Sequence, residues 1–125
     1  MKTQNGFTLI ELVIVVVIIA ILASIAIPNY REYVIRGHRR AAQAAMLEIA
    51  TQERQYFVAN RAFGDEDELG YALPAEVDEY YDFSITVGAG AVPSFTINFT
   101  AVGGQASDGN LALTSEGVKT PAEKW

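Results

Sequence analysis

Phe7-Thr8-Leu9-Ile10-Glu11-Leu12-Val13-Ile14-Val15-Val16-Val17-Ile18-Ile19-Ala20-Ile21-Leu22-Ala23-Ser24-Ile25-Ala26-Ile27-Pro28 is the stretch on which the fold turns. Residues 7–27 number 21, and only Thr8, Glu11 and Ser24 among them are polar. As a helix they extend about 31 Å at about 1.5 Å per residue, the thickness of a bilayer core. From Leu12 onward every face is apolar except at Ser24, so no side is reserved for water. A cleaved secretory signal has a shorter apolar run, and here the helical pattern continues past it. A plain anchor has no use for Glu11. A carboxylate at the bilayer centre costs roughly 2.5–3.5 kcal/mol on insertion scales, and less near an end. A span that later packs against copies of itself could use that carboxylate; one that does not would let it snorkel to the interface.

Working outward, Lys2 is the only basic side chain before the span, while Arg31, Arg36, Arg39 and Arg40 follow it closely. Counting positive charge alone keeps the C-terminal side in the cytoplasm. The motif at the front argues for the opposite orientation.

The chain begins Met1-Lys2-Thr3-Gln4-Asn5-Gly6, and Phe7-Thr8-Leu9-Ile10-Glu11 follows. A short polar leader with one basic residue, a Gly-Phe junction and a Thr-Leu-Ile-Glu run before an apolar helix resemble the class III signal peptide of the type IV pilin family. The resemblance implies a three-part chain: a leader at 1–6, a transmembrane and filament-core helix at 7–28, and a pilin globular domain at 29–125. It also implies cleavage between Gly6 and Phe7 by a prepilin peptidase, and N-methylation of the new Phe7 amine by the same enzyme. Glycine suits a narrow protease cleft because it lacks a Cβ. In the family the carboxylate at the position of Glu11 meets the N-terminal amine of a neighbouring subunit during assembly. Burial among apolar groups is tolerable for a carboxylate mainly when a cation pairs with it. Pro28 cannot donate to residue 24 and its ring crowds that turn, so the helix is expected to kink or loosen there. The family loses helix locally just before this position in assembled filaments, although an ordinary proline kink reads the same way in sequence.

Beyond Pro28 the helical spacing runs from Tyr30 to about Asn60. Ala42, Met46, Ile49, Ala50, Tyr56 and Phe57 form one apolar stripe, and Ala41, Ala42, Ala44 and Ala45 allow a sheet to approach closely. Gly37 is a weak point in this helix, costing up to about 1 kcal/mol against alanine. Arg36, His38, Arg39 and Arg40 are the only basic cluster. They read as a solvated helix face that pairs with acids of neighbouring subunits, with anionic lipid or DNA as weaker options. Residues 61–79 read as an acidic, glycine-containing loop, and Asp65-Glu66-Asp67-Glu68 lacks the alternate-ligand spacing of an EF-hand. Then Phe83, Ile85 and Val87 alternate with polar residues, as do Phe95, Ile97 and Phe99, and then Leu111 and Leu113. Loops at 88–93 and 103–109 separate these strands, and Val118 is placed in a short fourth. The expected fold class is therefore α+β: a long N-terminal helix, half transmembrane and half amphipathic, packed on a 3–4-stranded antiparallel sheet.

Charge divides with hydrophobicity. Residues 1–60 carry a net +2, residues 61–125 a net −8, and the whole chain −6. There is no Cys and a single His, which excludes thiol chemistry, Cys-ligated metals and disulfides. Many pilins close their C-terminal loop with a disulfide; here packing, hydrogen bonds or subunit contacts must do so. The tail (Gly103-Gly104-Gln105, Asp108, Leu111, Leu113, Gly117), with His38-Arg39 and Tyr80-Tyr81, is most similar to minor pilins of the PilE type. The implied function is a structural pilus subunit, a minor pilin that primes or enters the fibre, in the service of adhesion, twitching motility or DNA uptake. The implied partners are other pilin subunits, the prepilin peptidase, an inner-membrane assembly platform and the membrane itself. The implied location is the bacterial inner membrane, globular domain in the periplasm, and afterwards the cell surface. A pseudopilin of type II secretion is the alternative, and a DNA-binding competence pilin is disfavoured by the acidic rear. No enzyme, cofactor or metal site is expected, since the carboxylates lie in a loop with nothing to organise them for catalysis.

Overall fold

The computed structural model describes Met1 and residues 5–125, so Lys2, Thr3 and Gln4 of the expected leader lie outside the described residues. The chain divides into two compact units, Met1–Val34 and Ile35–Trp125. One helix, α1 (Leu9–Asn60), contributes to both.

In the first unit the apolar run is helical, and its large side chains from Ile10 to Ile27 are 45–62% exposed. An 18-residue window of this helix has a mean hydropathy of 3.2 with none of it buried within the chain. Such a surface is stable only in lipid or against other apolar surface. The helix runs through Pro28 without interruption. The loosening expected there therefore does not appear in the lone subunit. What remains is a missing rung: Pro28 has no N–H for the Ser24 carbonyl. The Ser24 hydroxyl donates backward instead, to the Ile21 carbonyl at 2.7 Å.

The second unit buries one face of α1 on a sheet. Ala42, Ala45, Met46, Ile49 and Ala50 are buried at steps of three and four residues, as the stripe requires. Tyr56 and Phe57 are only half-buried and Ala44 is exposed, so the stripe is narrower than expected. The sheet is an antiparallel meander of β1 (Tyr81–Val87), β2 (Phe95–Ala101), β3 (Leu111–Thr114) and β4 (Lys119–Thr120), in the order β1-β2-β3-β4. Val118 precedes β4 rather than belonging to it. The pairs Phe83↔Phe99, Ile85↔Ile97 and Ile97↔Leu113 put the alternating apolar side chains on one face. Tyr81, Phe99, Met46 and Ile49 are among the largest fully buried side chains of the core.

The acidic stretch at 61–79 is not plain loop. It holds two single-turn helices, α2 (Glu66–Leu69) and α3 (Ala75–Asp78). Asp65 and Glu68 close a reciprocal capping box around α2, which explains two of the four adjacent acids as local structure. Glu66 reaches further, its Oε2 accepting from the Ile85 N–H at 3.0 Å on the outer edge of β1. A filled edge donor cannot recruit a foreign strand.

Noncovalent contacts fasten the C-terminal part of the unit. A 3₁₀ turn at Gly103–Asp108 presents buried Gln105 and half-buried Asp108 to α1. The Gln105 amide nitrogen lies 2.9 Å from the Ile35 carbonyl, 3.0 Å from the Tyr81 hydroxyl and 3.3 Å from Asp108 Oδ2. Asp108 Oδ1 pairs with Arg39 at 2.7 Å and Lys124 at 3.4 Å. Gln43 donates to the Lys124 carbonyl at 2.7 Å, and the Lys119 ammonium sits 4.9 Å over the Trp125 ring.

These contacts correct the expectation of a wholly solvated basic cluster. Arg39 is an internal ion-pair partner, its side chain 16% exposed. His38 stacks on Tyr80 with ring centroids 3.7 Å apart. Only Arg36 and Arg40 of the four are exposed.

Candidate processing and assembly site

The residues singled out for processing and assembly are Gly6, Phe7, Glu11 and Pro28, all in the first unit. Gly6 and Phe7 precede the helix in non-helical backbone, and the Phe7 side chain is 86% exposed. An exposed peptide bond outside the helix is the form a protease can take into its cleft. A Cβ added at Gly6 would meet nothing within 4 Å, so this chain itself imposes no need for glycine there. Any such need comes from an outside partner.

Thr8 opens the helix. Its carbonyl accepts the first helical bond from the Leu12 N–H at 3.3 Å, and its hydroxyl accepts from the Glu11 N–H at 3.3 Å. Glu11 reaches back: its Oε2 accepts from the Thr8 N–H at 2.8 Å and from the Thr8 hydroxyl at 2.7 Å. This is a capping box, and it places the carboxylate at the helix N-terminus, where the macrodipole favours negative charge. Glu11 is thus already engaged within its own chain. The signal is legible in the sequence as Thr8-x-x-Glu11 ahead of an apolar run.

Seventeen residues separate Glu11 from Pro28, roughly 25 Å along a helix. The four positions are therefore strung along one rod and form no catalytic pocket. Elsewhere, a shallow groove of about 270 Å³ on the outer sheet face is lined by neutral residues, Asn98, Thr100, Asn110 and Thr120 among them. Among the described residues no group of three or more His, Asp or Glu side chains is placed to hold a metal ion.

Two buried polar side chains escaped the sequence reading. Gln105 sits among the tail contacts described above. Glu53 occupies the apolar stripe of α1 and is fully buried. Its spacing from Met46 and Ile49 on the stripe was the available signal, outweighed by its residue type.

Comparison with known proteins agrees with this geometry. Residues 1–27 match the family model of the prokaryotic N-terminal methylation motif. Residues 28–112 match the model described as type IV minor pilin ComP, DNA uptake sequence receptor. A fimbrial protein of Dichelobacter nodosus is 39% identical over 118 residues, which cover 84% of this chain and 71% of that protein. The type IV major pilin protein PilA of Myxococcus xanthus is 37% identical over 88 residues, covering 70% of this chain and 39% of PilA. The type IV major pilin protein PilE1 of Neisseria gonorrhoeae is 35% identical over 92 residues, covering 71% of this chain and 42% of its own length. The chain thus spans about two fifths of two of these relatives and most of the third. No solved structure matches it. With an N-methylation motif on an exposed apolar helix, a helix-on-meander domain and matches covering nearly the whole chain, the protein belongs to the type IV pilin family.

Proposed function

We propose that this pilin is a structural subunit of a type IV pilus and enters the fibre as a minor component. The supporting observation is the apolar helix with no covering surface, opened by the Thr8–Glu11 box and matched to the methylation motif. In the proposed sequence of events the precursor sits in the inner membrane with its globular domain in the periplasm. Prepilin peptidase hydrolyses the Gly6–Phe7 bond, and the freed Phe7 nitrogen then attacks the methyl group of a sulfonium methyl donor, which leaves as a thioether while the nitrogen loses one proton. The assembly platform then lifts the subunit, and residues 7–28 exchange lipid for the helices of other subunits. Glu11 turns from Thr8 to the amine of a neighbouring Phe7. The exposed Arg36 and Arg40 face acids of adjacent subunits, for which the −8 rear of the chain provides many candidates. Head-to-tail contacts of this kind build open filaments. Intact-mass analysis of the mature chain tests the processing step. The expected N-terminus is monomethylated Phe7, and an unmethylated chain or one beginning elsewhere refutes it.

The minor assignment is supported by the minor-pilin description of the model matching residues 28–112. The relatives from Myxococcus and Neisseria carry the name major pilin, so abundance in sheared pili decides. A trace component supports the minor reading, the bulk component a major one, and absence the type II secretion alternative.

A second reading follows the same model's description as a DNA uptake sequence receptor. Arg36, Arg40, Arg54 and Arg61 are exposed and offer phosphate contacts. Against it stands the strongly acidic rear. The purified chain is expected to bind duplex DNA no tighter than the non-specific range of about 10⁻⁴–10⁻⁶ M at physiological salt. Submicromolar binding in a gel-shift assay would establish the receptor reading instead.

A further inference from the structure

Glu53 is the only charged side chain among the described residues that is fully buried. Its Oε2 accepts from the Gly64 N–H at 3.2 Å, while Oε1 has no partner. Buried carboxylates are ordinarily paired with a cation, but the two salt bridges among the described residues both belong to Asp108. The segment that donates this bond, residues 61–70, lies over the end of the core like a strap. Phe63 stacks on Phe57 and meets Phe95 edge-on, both at 4.7 Å, and Glu66 ties the strap to β1 through Ile85. Gly64 has little room: a Cβ there would stand 3.2 Å from both Glu68 and Tyr56. The strap is therefore held by two aromatic contacts and two carboxylates, one of them Glu53.

We propose that Glu53 is a proton-operated latch: protonated it holds the 61–70 strap closed, and ionised it drives the strap to open locally.

The two charges that act on the Glu53 carboxyl favour this sense. Asp65 and Glu68 on the strap are both negative. The buried residues of α1 include no other ionisable group, and the inward side chains of the sheet are apolar except Tyr81, whose hydroxyl is engaged by Gln105. Burial pushes the Glu53 carboxyl above the usual carboxylate range, and Glu68 and Asp65 add to the rise; the Gly64 N–H pulls the other way and is outweighed. A carboxyl that holds its proton more tightly folded than unfolded stabilises the fold fully below its unfolded pKa. That contribution fades as pH rises through the folded value. Displacing the strap admits water to the charge, and at the Glu53 carboxyl itself the one hydrogen bond to be broken is that from the Gly64 N–H.

Amide hydrogen exchange on the full chain in detergent micelles tests the latch, with rates divided by the unstructured rate at each pH. Protection at Gly64 and its neighbours is expected to fall at least about tenfold from pH 5 to pH 8. In Glu53→Gln, neutral throughout, it is expected to change less than about twofold. Equal protection at both pH values in the native chain, or an equal fall in the variant, overturns the proposal. If the variant does not fold, the Glu53 carboxyl-carbon signal of the native chain decides. Its titration midpoint must coincide with the loss of Gly64 protection; a carboxyl ionised across the whole range, or a midpoint more than about one pH unit away, overturns the latch.

Discussion

Asp108→Ala is expected to lower the stability of the globular unit by about 3 kcal/mol, toward the range for breaking a buried ion pair. Asp108 binds Arg39 at 2.7 Å, Lys124 at 3.4 Å and Gln105 at 3.3 Å, so one truncation releases three contacts. The largest loss is at Arg39, whose guanidinium is left unpaired with its side chain 16% exposed. For a domain of this size the corresponding fall in Tm is roughly 12–24 °C. Thermal unfolding of the full chain in micelles, followed by circular dichroism, measures it. The double variant Arg39→Met with Asp108→Leu is expected to recover much of the loss, because it leaves no orphaned guanidinium, and Lys124, its side chain 26% exposed, can turn its ammonium to water. A shift of only a degree or two in the single variant would mean that the pair acts like an exposed surface bridge.

Glu11→Ala is expected to reduce incorporation into pili at least about tenfold, which corresponds to a loss of about 1.4 kcal/mol per subunit contact. The amount of subunit in the membrane should not fall with it. Removing a carboxylate from the head of an apolar span makes residence in lipid easier. A variant that accumulates in the membrane while disappearing from sheared pili therefore has an assembly defect. Thr8→Val separates the two roles of Glu11. It keeps the carboxylate but removes the hydroxyl of the capping box, at a cost of about 1 kcal/mol to the helix start. If Thr8→Val assembles as poorly as Glu11→Ala, Glu11 serves the helix start and not the neighbouring amine. Normal assembly of Glu11→Ala would refute both.

What could be read in advance follows the range of the interactions. The apolar span, the helix stripe around Met46 and Ile49, and the alternation in β1, β2 and β3 are set by neighbours at two to four residues. The single-turn helices α2 and α3 are too short to show a period, although the Asp65–Glu68 spacing carried a cap signal. The roles of Arg39 and Gln105 were invisible, because Asp108 lies 69 residues from Arg39 and Ile35 lies 70 from Gln105. A basic residue on a helix has the same local pattern whether it faces water or a distant carboxylate. Glu53 was overlooked for the opposite reason: its position on the stripe was plain, but its charge argued for the surface. Among the residues proposed for processing and assembly, Gly6, Phe7 and Glu11 are singled out by the motif alone, and the structure adds the contacts between Thr8 and Glu11.

In the proposed fibre, Pro28 marks a turn of the apolar helix with less to resist load. The turn at residues 24–28 is one hydrogen bond short of its neighbours, since proline offers the Ser24 carbonyl nothing. A residue advances about 1.5 Å in a helix and about 3.3 Å when extended. Unwinding those five residues gives about 9 Å of extra reach, with one hydrogen bond fewer to break than in a regular turn. A fibre of such subunits could stretch and recoil through this short segment while every sheet domain stayed folded.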